Sequence, residues 1–344
     1  MNEAKTTPHA NGQYLRIALI ADELTRSCLP AECNIAHITP LNFSWVLRFW
    51  KPDLLLVESA WSGVRNRWKY CIASYPDYPE RTNRSLAKVV QLARDLGIPS
   101  VFWNKEDSVH FDRFIASAKL FDHILTVDSN AVPRYHAVVD ARTTVGTMMF
   151  AVQPALHAPD VAAPKIMRAN FVGSYSLHMH DSRRRLQHML FEAAAGELGL
   201  TVFDRNSGRK SANYRYPATT ISMEVKPAVP HAATADIYRD YLVSLNVNTI
   251  QDSPTMFSRR LVEILGSGGL AATTPALSVD QLFAPYCHVV RCEEEARTLF
   301  ARLRRDGLSA ADREMMAAGA EYVHEHHTWT QRLEQIRAVV GLAG

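Results

Sequence analysis

The chain has 344 residues, of which 38 are basic and 35 acidic, so its formal net charge is +3. A hydrophobic fraction of 47% and a charged fraction of 21% are ordinary for globular proteins, and they exclude disordered, collagen-like and small disulfide-rich chains. At about 150 residues per domain, the length predicts roughly two domains. The nearly balanced charge gives no general attraction for nucleic acid, so we expect no nucleic-acid partner.

The sequence predicts neither a secretion signal nor a membrane span. Residues 1–13 are polar and lack the apolar core of a signal peptide, and we predict that they are disordered. The uncharged segment 143–159 contains Gln153, His157 and prolines, and it falls short of the roughly 20 apolar residues that a span requires. The five cysteines have no CxxC spacing, which predicts free thiols rather than a zinc site. We therefore expect a cytoplasmic protein, while peripheral membrane contact and the oligomeric state stay open.

Apolar runs alternate with helical patterns in the first half of the chain. The runs predict strands over 16–21, 54–58, 100–103 and 123–127. Helical periodicity predicts helices over 83–96 and 130–138. Strands that are apolar throughout are typical of parallel sheets covered on both faces. This half therefore predicts an α/β domain.

The segment 151–165 breaks this alternation with three prolines and five alanines, and it predicts an interdomain linker. After it the α/β pattern resumes. Strands are predicted at 170–172, 201–203, 242–247, 270–272 and 289–290, and helices at 182–198, 235–241, 259–265, 293–305, 310–325 and 329–340. In open parallel sheets ligands bind beyond the carboxyl ends of the strands, so we expect the functional residues at the strand exits, directly after the predicted strands.

The stretch from residue 246 to 269 is the richest of these exits. A strand ends in Asn246 and Asn248, and a loop with Ser253 leads to a helix that we expect to begin near Thr255. The free amides and the dipole of a helix start suit a diphosphate. Arg259 adds positive charge there, and Glu263, about one turn further, could accept hydrogen bonds from the ribose of a nucleotide. An ordinary capped helix is the alternative.

Two further strand exits in this half carry candidate residues. The first is Gly173-Ser174-Tyr175, which three arginines at 183–185 follow; Gly173 permits close approach of backbone to a ligand. The second is Arg205, which could bind phosphate or pair with the neighbouring Asp204. A solvated helix face is the alternative for the arginines.

In the first half, acidic and basic residues follow the strand at 100–103. Lys105, Glu106, Asp107 and His110 stand there in order, and an acid, a base and a cation together are suited to proton transfer. A structural role for His110, as a cap or packing group of a helix over 111–118, is the alternative. Histidines near the C-terminus lack the spacing of a metal site, so we predict no metal.

The run SPTMFSRRLVEILGSGG over residues 253–269 resembles the nucleotide-sugar segment of GT-B glycosyltransferases, and more narrowly that of the CgeB-like and capsule-type group. The other segments agree in order along most of the chain, from Arg16 to Ile336. They are VESAW, GIPSVFWNKEDSVHFDRF, FDHILTVDSNAVPRY, FVGSY and HHTWTQRLEQI.

The resemblance implies a GT-B architecture, an α/β fold with two Rossmann-like domains facing a central cleft. It implies a nucleotide-diphosphate-sugar donor held by Glu263 at the ribose and by the Thr255 and Met256 amides at the diphosphate, with no cofactor. Many retaining relatives carry a glutamate at the position of Thr255, so the sugar and the retaining outcome stay open. Arg205 and Arg259 stand in for the arginine and lysine that neutralise phosphate in such relatives.

The predicted domains follow from this resemblance and the linker. They are residues 14–155 on the acceptor side, 156–325 for the donor, and a final helix over 326–344 that crosses back to the first domain. We predict a metal-independent, hexosyltransferase-like enzyme of polysaccharide or related synthesis whose acceptor hydroxyl belongs to a glycan, a protein or a small molecule. A nucleotide-sugar epimerase and an inactive nucleotide-sugar-binding module are the alternatives.

Overall fold

The computed structural model describes residues 15–160, 163–217 and 220–342. Within them the chain divides into two units. The first contains the described residues up to Gln153 together with those from Trp329 onward, and the second is Pro154–Thr328. The stretch 1–13, which we predict to be disordered, lies outside the described residues.

The first unit is built on a six-stranded parallel sheet with the order β2–β1–β3–β4–β5–β6. Its strands are β1 (Arg16–Ile20), β2 (Asn34–His37), β3 (Leu54–Glu58), β4 (Ser100–Asn104), β5 (His123–Thr126) and β6 (Thr144–Thr147). Its helices are α1 (Glu23–Cys28), α2 (Phe43–Trp45, continued by a π-helical turn Val46–Trp50), α3 (Arg84–Asp95), α4 (Phe111–Ala118), α5 (Val132–His136) and α12 (Trp329–Val340).

The sequence predicts the four inner strands of this sheet and misses the two at its edges. The inner strands β3 and β4 are buried along their whole length, so each is a continuous apolar run. The edge strands β2 and β6 are half-exposed and include polar residues and a glycine. A short strand with one exposed face has too few apolar residues to stand out from a loop.

The last helix, α12, packs within the first unit. The Trp329 indole lies edge-on to that of Trp103, with ring centroids 5.5 Å apart. The Arg332 guanidinium donates to the carbonyl oxygens of Met149 and Phe150. These contacts join the C-terminal segment to the strand β4 and to the segment that follows β6.

The second unit has its own six-stranded parallel sheet with the order β12–β11–β10–β7–β8–β9. Its strands are β7 (Ile166–Gly173), β8 (Leu200–Asp204), β9 (Met223–Pro227), β10 (Tyr241–Asn246), β11 (Ala271–Thr273) and β12 (His288–Val289). Its helices are α6 (Asp181–Glu197), α7 (Thr234–Asp240), α8 (Arg259–Gly266), α9 (Leu277–Leu282), α10 (Glu293–Asp306) and α11 (Ala310–His326).

The strand order of each unit fixes where a ligand would bind. In the second unit the chain moves outward from β7 to β9 on one side and then from β10 to β12 on the other. In the first unit β2 lies on one side of β1, and β3 to β6 follow on the other. Crevices form at such reversals, outside the carboxyl ends of the two neighbouring strands. These strand pairs are β7 and β10 in the second unit, and β1 and β3 in the first.

Candidate active site

In the second unit the crevice lies beyond Gly173, the last residue of β7, and Asn246, the last residue of β10. A side chain from helix α8 crosses this edge. The Arg260 guanidinium donates from Nε to the Val172 carbonyl oxygen at 2.6 Å and lies over the Phe171 ring, 4.1 Å from its centroid. A Cβ at position 173 would stand 2.5 Å from the Arg260 guanidinium. A glycine here therefore leaves room for the arginine to cross the strand end, and a larger residue would displace the Arg260 guanidinium or the Phe171 ring.

A second guanidinium lies close to the first. Arg183, in the first turn of α6, donates to the Gln187 amide oxygen at 3.3 Å and to the Ser174 carbonyl oxygen at 3.4 Å. Burial and the nearby charge of Arg260 lower the pKa of Arg183 to about 10. Burial also lowers the pKa of Arg260. Both side chains are half-buried, and among the described ion pairs neither has a carboxylate partner. The Glu263 charge acts on Arg260 from beyond salt-bridge distance, so two neighbouring guanidinium groups without a salt bridge of their own form a site suited to an anion.

Glu263 lies one turn along α8 from Arg259, and a guanidinium, an imidazole and a phenol hydroxyl surround its carboxylate. Its Oε1 is 2.8 Å from the Arg259 Nε and 3.0 Å from the His231 Nε2. The Tyr238 hydroxyl is 3.4 Å from Oε2. Burial alone would raise the pKa of Glu263, but Arg259 and the hydrogen bond with His231 bring it well below its ordinary value. Glu263 is therefore a carboxylate at neutral pH, even though it is only 4% exposed.

The same carboxylate belongs to the group of side chains best suited to hold a metal ion. His157, His231 and Glu263 each offer one ligand atom, and these atoms lie within 4.8 Å of one another. Imidazole nitrogen and carboxylate oxygen are ordinary zinc ligands. In the structure, however, the Arg259 guanidinium supplies positive charge to Glu263. A metal ion could use this carboxylate oxygen only after Arg259 moved away.

The start of the helix after the rich loop agrees with one of the two predictions made for it. Helix α8 begins at Arg259, as the predicted range 259–265 has it, and not near Thr255, because Ser253 folds the preceding residues into a turn. The Ser253 hydroxyl accepts the backbone N–H groups of Thr255 and Met256, at 3.3 and 3.0 Å. The two amides that we expected at the diphosphate therefore donate to a serine in this conformation.

The two asparagines of this region build the loop. Asn246 and Asn248 are fully buried. Asn248 donates to the Thr274 carbonyl oxygen at 2.7 Å and accepts the Ser258 amide at 3.0 Å. The Arg260 guanidinium is 3.4 Å from the Asn246 side-chain oxygen. Of the two, Asn246 thus lies next to the arginine crevice, and Asn248 fixes the start of α8.

The remaining candidates of the second unit are Ser174, Tyr175 and Arg205, and each has a structural contact. Tyr175 is buried, its hydroxyl is 2.9 Å from the His188 Nε2, and its ring stacks on that imidazole. Ser174 contributes a carbonyl oxygen to Arg183. Arg205 is exposed at the end of β8, where its backbone N–H donates to the Gly173 carbonyl oxygen. Tyr175 is thus a packing residue in this conformation.

Sequence reasoning chose Arg259 rather than Arg260 as the phosphate ligand, and for Arg183 it left both a phosphate contact and a solvated helix face open. For Arg260, a signal was present in the spacing. Arg259 and Glu263 stand at i and i+4 on one helix, the spacing at which opposite charges pair, and they do pair. That leaves the adjacent Arg260 to point elsewhere. The pairing of Arg259 with Glu263 could therefore have identified Arg260 as the arginine that reaches the crevice.

In the first unit, the crevice between β1 and β3 holds three linked charges. Glu58 ends β3, is 1% exposed, and accepts from the Lys105 Nζ at 2.8 Å and from the Thr25 hydroxyl. Asp22, just after β1, accepts the backbone N–H groups of the loop at Trp61, Ser62 and Gly63. These bonds fix the loop at the strand exit. The predicted catalytic set contains neither Glu58 nor Asp22, although the VESAW segment that marks this strand exit includes Glu58.

Two of the predicted proton-transfer residues lie beside this loop. The His110 ring is edge-on to the Trp61 indole, with centroids 5.2 Å apart, and burial and Arg113 lower the pKa of His110. Burial raises the pKa of Glu106, whereas Lys105 and the Trp61 side chain act in the opposite direction. Trp61 thus links Glu106 and His110. A carboxyl of raised pKa and a histidine of lowered pKa are both suited to accept a proton near neutral pH.

Asp107 occupies a different place from its neighbours. It is fully buried, and its oxygens accept from Asn104 at 2.8 Å, from the Thr126 hydroxyl at 2.7 Å and from the Tyr135 hydroxyl at 2.7 Å. Burial raises the pKa of Asp107 to about 6. A side chain so enclosed touches no substrate in this conformation. Its catalytic role stays a prediction, and in this conformation its hydrogen bonds hold the β4–α4 connection against β5 and α5.

Comparisons with known proteins agree with this architecture. Residues 183–338 match a family model described as glycosyl transferase-like. Among solved structures, an alpha-glucosyltransferase in complex with UDP and a 13-mer DNA aligns with a TM-score of 0.60 at 11% identity, over 96% of this chain and 100% of that one. HepE of Anabaena in complex with UDP aligns with a TM-score of 0.58 at 12% identity, over 95% of this chain and 92% of that one.

A glycosyltransferase from Rickettsia africae aligns with a TM-score of 0.56 at 8% identity, over 96% of this chain and 100% of that one. The chain has a GT-B-like fold. The expected GT-B fold is thereby confirmed, and the segment 183–338 is similar to a glycosyl transferase-like family. Among curated proteins none matches this sequence. Within the described residues, every helix is too short or too polar to cross a membrane.

Proposed function

We propose that the protein transfers a sugar from a nucleotide-diphosphate sugar to an acceptor hydroxyl, without a metal ion. The observation that carries this proposal is the pair Arg183 and Arg260 at the reversal of the second sheet, two guanidinium groups whose described partners are uncharged. A diphosphate supplies the missing negative charge. UDP is present in the structures of the alpha-glucosyltransferase and of HepE, which supports a nucleotide diphosphate at this place.

The chemistry needs charge stabilisation on the donor side. As the bond between the anomeric carbon and the diphosphate oxygen breaks, negative charge grows on the leaving diphosphate. Arg183 and Arg260 stabilise that charge, and preorganised cations of this kind take the place of a metal ion. Glu263 accepts hydrogen bonds from the ribose hydroxyls through Oε2, whose described partner is the Tyr238 hydroxyl at a long 3.4 Å.

The acceptor side needs a proton acceptor. As the acceptor oxygen forms its bond to the anomeric carbon, its proton goes to the Glu106 carboxylate, with His110 as the adjacent base. The raised pKa of Glu106 makes the carboxylate a stronger base than an exposed glutamate. We propose a hexosyl group and retention of configuration. Proton NMR of the product identifies the transferred sugar, which tests the first, and gives its anomeric configuration, which tests the second.

The central experiment measures binding and transfer with Arg260→Ala. Calorimetry against UDP, GDP and dTDP identifies the nucleotide, and release of that nucleotide from its sugar conjugates measures turnover. We expect nucleotide binding to weaken by about tenfold to a hundredfold in the variant, the range for hydrogen bonds to charged groups. Turnover should fall by about a hundredfold or more, as when one preorganised donor is removed from a transition state.

Arg297→Ala is the matched control, because Arg297 lies in the same unit on a helix surface and pairs with Glu293. It should leave both quantities near wild type. Equal nucleotide affinity in Arg260→Ala and wild type, with the fold intact, would contradict the proposal. Conversion of the donor without an acceptor would favour the epimerase, and tight binding without turnover would favour the inactive module.

A further inference from the structure

The three most exposed large apolar side chains among the described residues stand within nine positions of each other. Leu41 is 79% exposed, Phe49 69% and Trp45 62%. Trp45 and Phe49 are four residues apart on one face of the helical segment Phe43–Trp50, and Leu41 lies in the turn just before that segment. The rings of Trp45 and Phe49 are 6.3 Å apart. We call these three residues the apolar ridge.

The ridge is not needed by the core of the first unit. The opposite face of the same segment carries Val46 and Leu47, which are buried, and Phe43 and Trp50, which pack against the core cluster. That face already holds the segment on the sheet. A surface helix with one buried face normally carries polar residues on the other, so apolar ridge residues indicate a function outside the unit.

The charged residues of the segment that carries the ridge are all basic. Residues 41–51 include Arg48 and Lys51, both exposed, and no acidic residue. Just beyond this segment, Asp53 accepts the Arg16 backbone N–H, and the Arg16 guanidinium stacks on Trp50 at 4.5 Å. The nearest acidic side chain along the chain is thus bound locally. A ridge of Trp, Phe and Leu flanked by basic residues is typical of segments that lie in a membrane interface next to anionic headgroups.

The size of the ridge favours a lipid surface over a protein partner. At about 200 Å² for a large side chain, the three exposed fractions amount to roughly 400 Å². A stable protein interface buries about 800 Å² on each partner. Insertion of a few side chains between lipid headgroups needs no such minimum area, because each side chain is surrounded by lipid at the boundary between headgroups and acyl chains.

We propose that the apolar ridge attaches the protein to an anionic membrane surface, with Trp45, Phe49 and Leu41 inserted and with Arg48 and Lys51 at the headgroups. The attachment is peripheral. It goes beyond the proposed transfer reaction and does not depend on it. For an acceptor that is bound to the membrane, this attachment would bring the enzyme and the acceptor together.

The test is co-sedimentation of the full chain with vesicles of phosphatidylcholine alone and with 30% phosphatidylglycerol. We expect binding to the anionic vesicles that weakens at least tenfold in the double variant Trp45→Ser/Phe49→Ser, and more than threefold in Arg48→Gln. Leu177→Ser is the control, since Leu177 is 54% exposed in the second unit, and it should bind like wild type. Equal melting temperatures show that each variant is folded.

A second measurement locates the contact. Lipids brominated on their acyl chains should quench wild-type tryptophan fluorescence, and Trp45→Phe should bind normally but lose most of that quenching. Failure of the wild type to bind anionic vesicles would overturn the proposal, as would equal binding by the double variant. A dimer in sedimentation velocity that the double variant abolishes, without vesicle binding, would assign the ridge to a second copy instead.

Discussion

Asp107 in the first unit and Glu263 in the second are both buried carboxyl groups that three side chains surround, yet their pKa values move in opposite directions. Burial raises the pKa of Asp107 to about 6, because its partners Asn104, Thr126 and Tyr135 are neutral and compensate only partly. The pKa of Glu263 falls, because Arg259 and His231 outweigh the same burial effect. The charge of the partners therefore decides the protonation state, and burial alone does not.

The opposite pKa shifts suit Asp107 and Glu263 to different roles. A carboxyl held by neutral donors can be fixed in position with or without its proton, which suits a positioning role. A carboxylate held by cations keeps its charge and its acceptor strength, which suits recognition of hydroxyl groups. The contrast between Asp107 and Glu263 can be broken or sharpened by four measurements.

The largest effect is expected from Glu263→Gln. The variant leaves Arg259 and His231 without their anion, and removing one partner of a buried, charged pair is costly. Because Arg259 is 23% exposed and can turn toward water, we expect about 2–3 kcal/mol of lost stability in urea unfolding. Nucleotide affinity should weaken by about 1–3 kcal/mol in calorimetry.

Glu293→Gln serves as the matched control, because it neutralises a glutamate whose arginine partner, Arg297, lies four residues along an exposed helix. That pair should be worth less than about 1 kcal/mol. Unchanged nucleotide affinity in Glu263→Gln, with the fold intact, would remove the ribose role. Loss of stability alone would leave Glu263 as a purely structural residue.

The second measurement follows stability with pH. For Asp107 the folded pKa, about 6, lies above the ordinary 3.8, so its ionisation destabilises the first unit above pH 6. Between about pH 6 and 4 the folded state binds a proton that the unfolded state does not, and stability rises as pH falls, by about 2–3 kcal/mol. For Glu263 the folded pKa is below the ordinary 4.5, so its contribution is present above pH 4.5 and is lost below.

Differences between wild type and variants isolate each contribution, since other groups titrate in the same range. Urea unfolding at pH 7, 5.5 and 4 should show the wild type gaining stability relative to Asp107→Asn as the pH falls. Glu263→Gln should approach wild type below pH 4.5. Parallel curves for wild type and Asp107→Asn would show that Asp107 has an ordinary pKa in the folded protein.

The sequence predicts the architecture well, because long apolar runs are what a parallel sheet covered on both faces requires. The central strands β3 and β4 illustrate this, since each is buried along its length. The edge strands β2, β6 and β9 escaped prediction, because an exposed edge needs few apolar residues. The apolar pattern therefore finds the centre of each sheet, and of the four edge strands it finds only β12, where two valines stand together.

The candidate sites were predicted less completely, because their geometry depends on which donor meets which acceptor. Ser253 takes up the Thr255 and Met256 amides, a side-chain choice that composition does not reveal. Arg260 reaches the crevice because Gly173 leaves room for it, 87 positions earlier in the chain. A contact of that separation has no local signal in a single sequence.

The third measurement concerns the neighbours of Asp107 at the acceptor side. His110→Ala and Glu106→Gln should each cut transfer at least tenfold while nucleotide binding stays within a few-fold, because proton acceptors act mainly in the transition state. Initial rates and calorimetry on one preparation separate the two quantities. A stable His110→Ala protein with a wild-type rate would restrict the histidine to packing against Trp61.

The smallest effect is expected for transfer by Asp107→Asn, and it separates positioning from catalysis. The amide keeps an oxygen for one donor and presents an NH2 group where the second oxygen accepted from Thr126 and Tyr135. Those hydroxyls can rotate to accept instead, so we expect a stability change of about 1 kcal/mol at pH 7. Because the side chain is fully buried, the rate per folded molecule should stay within about threefold of wild type, and KM for the donor should not change.

The pH profile of the rate gives the decisive readout. If Asp107 only positions the β4–α4 connection, the acidic limb of that profile belongs to Glu106 or His110 and persists in Asp107→Asn. Loss of that limb together with a tenfold slower rate would make Asp107 itself a group that exchanges a proton during turnover.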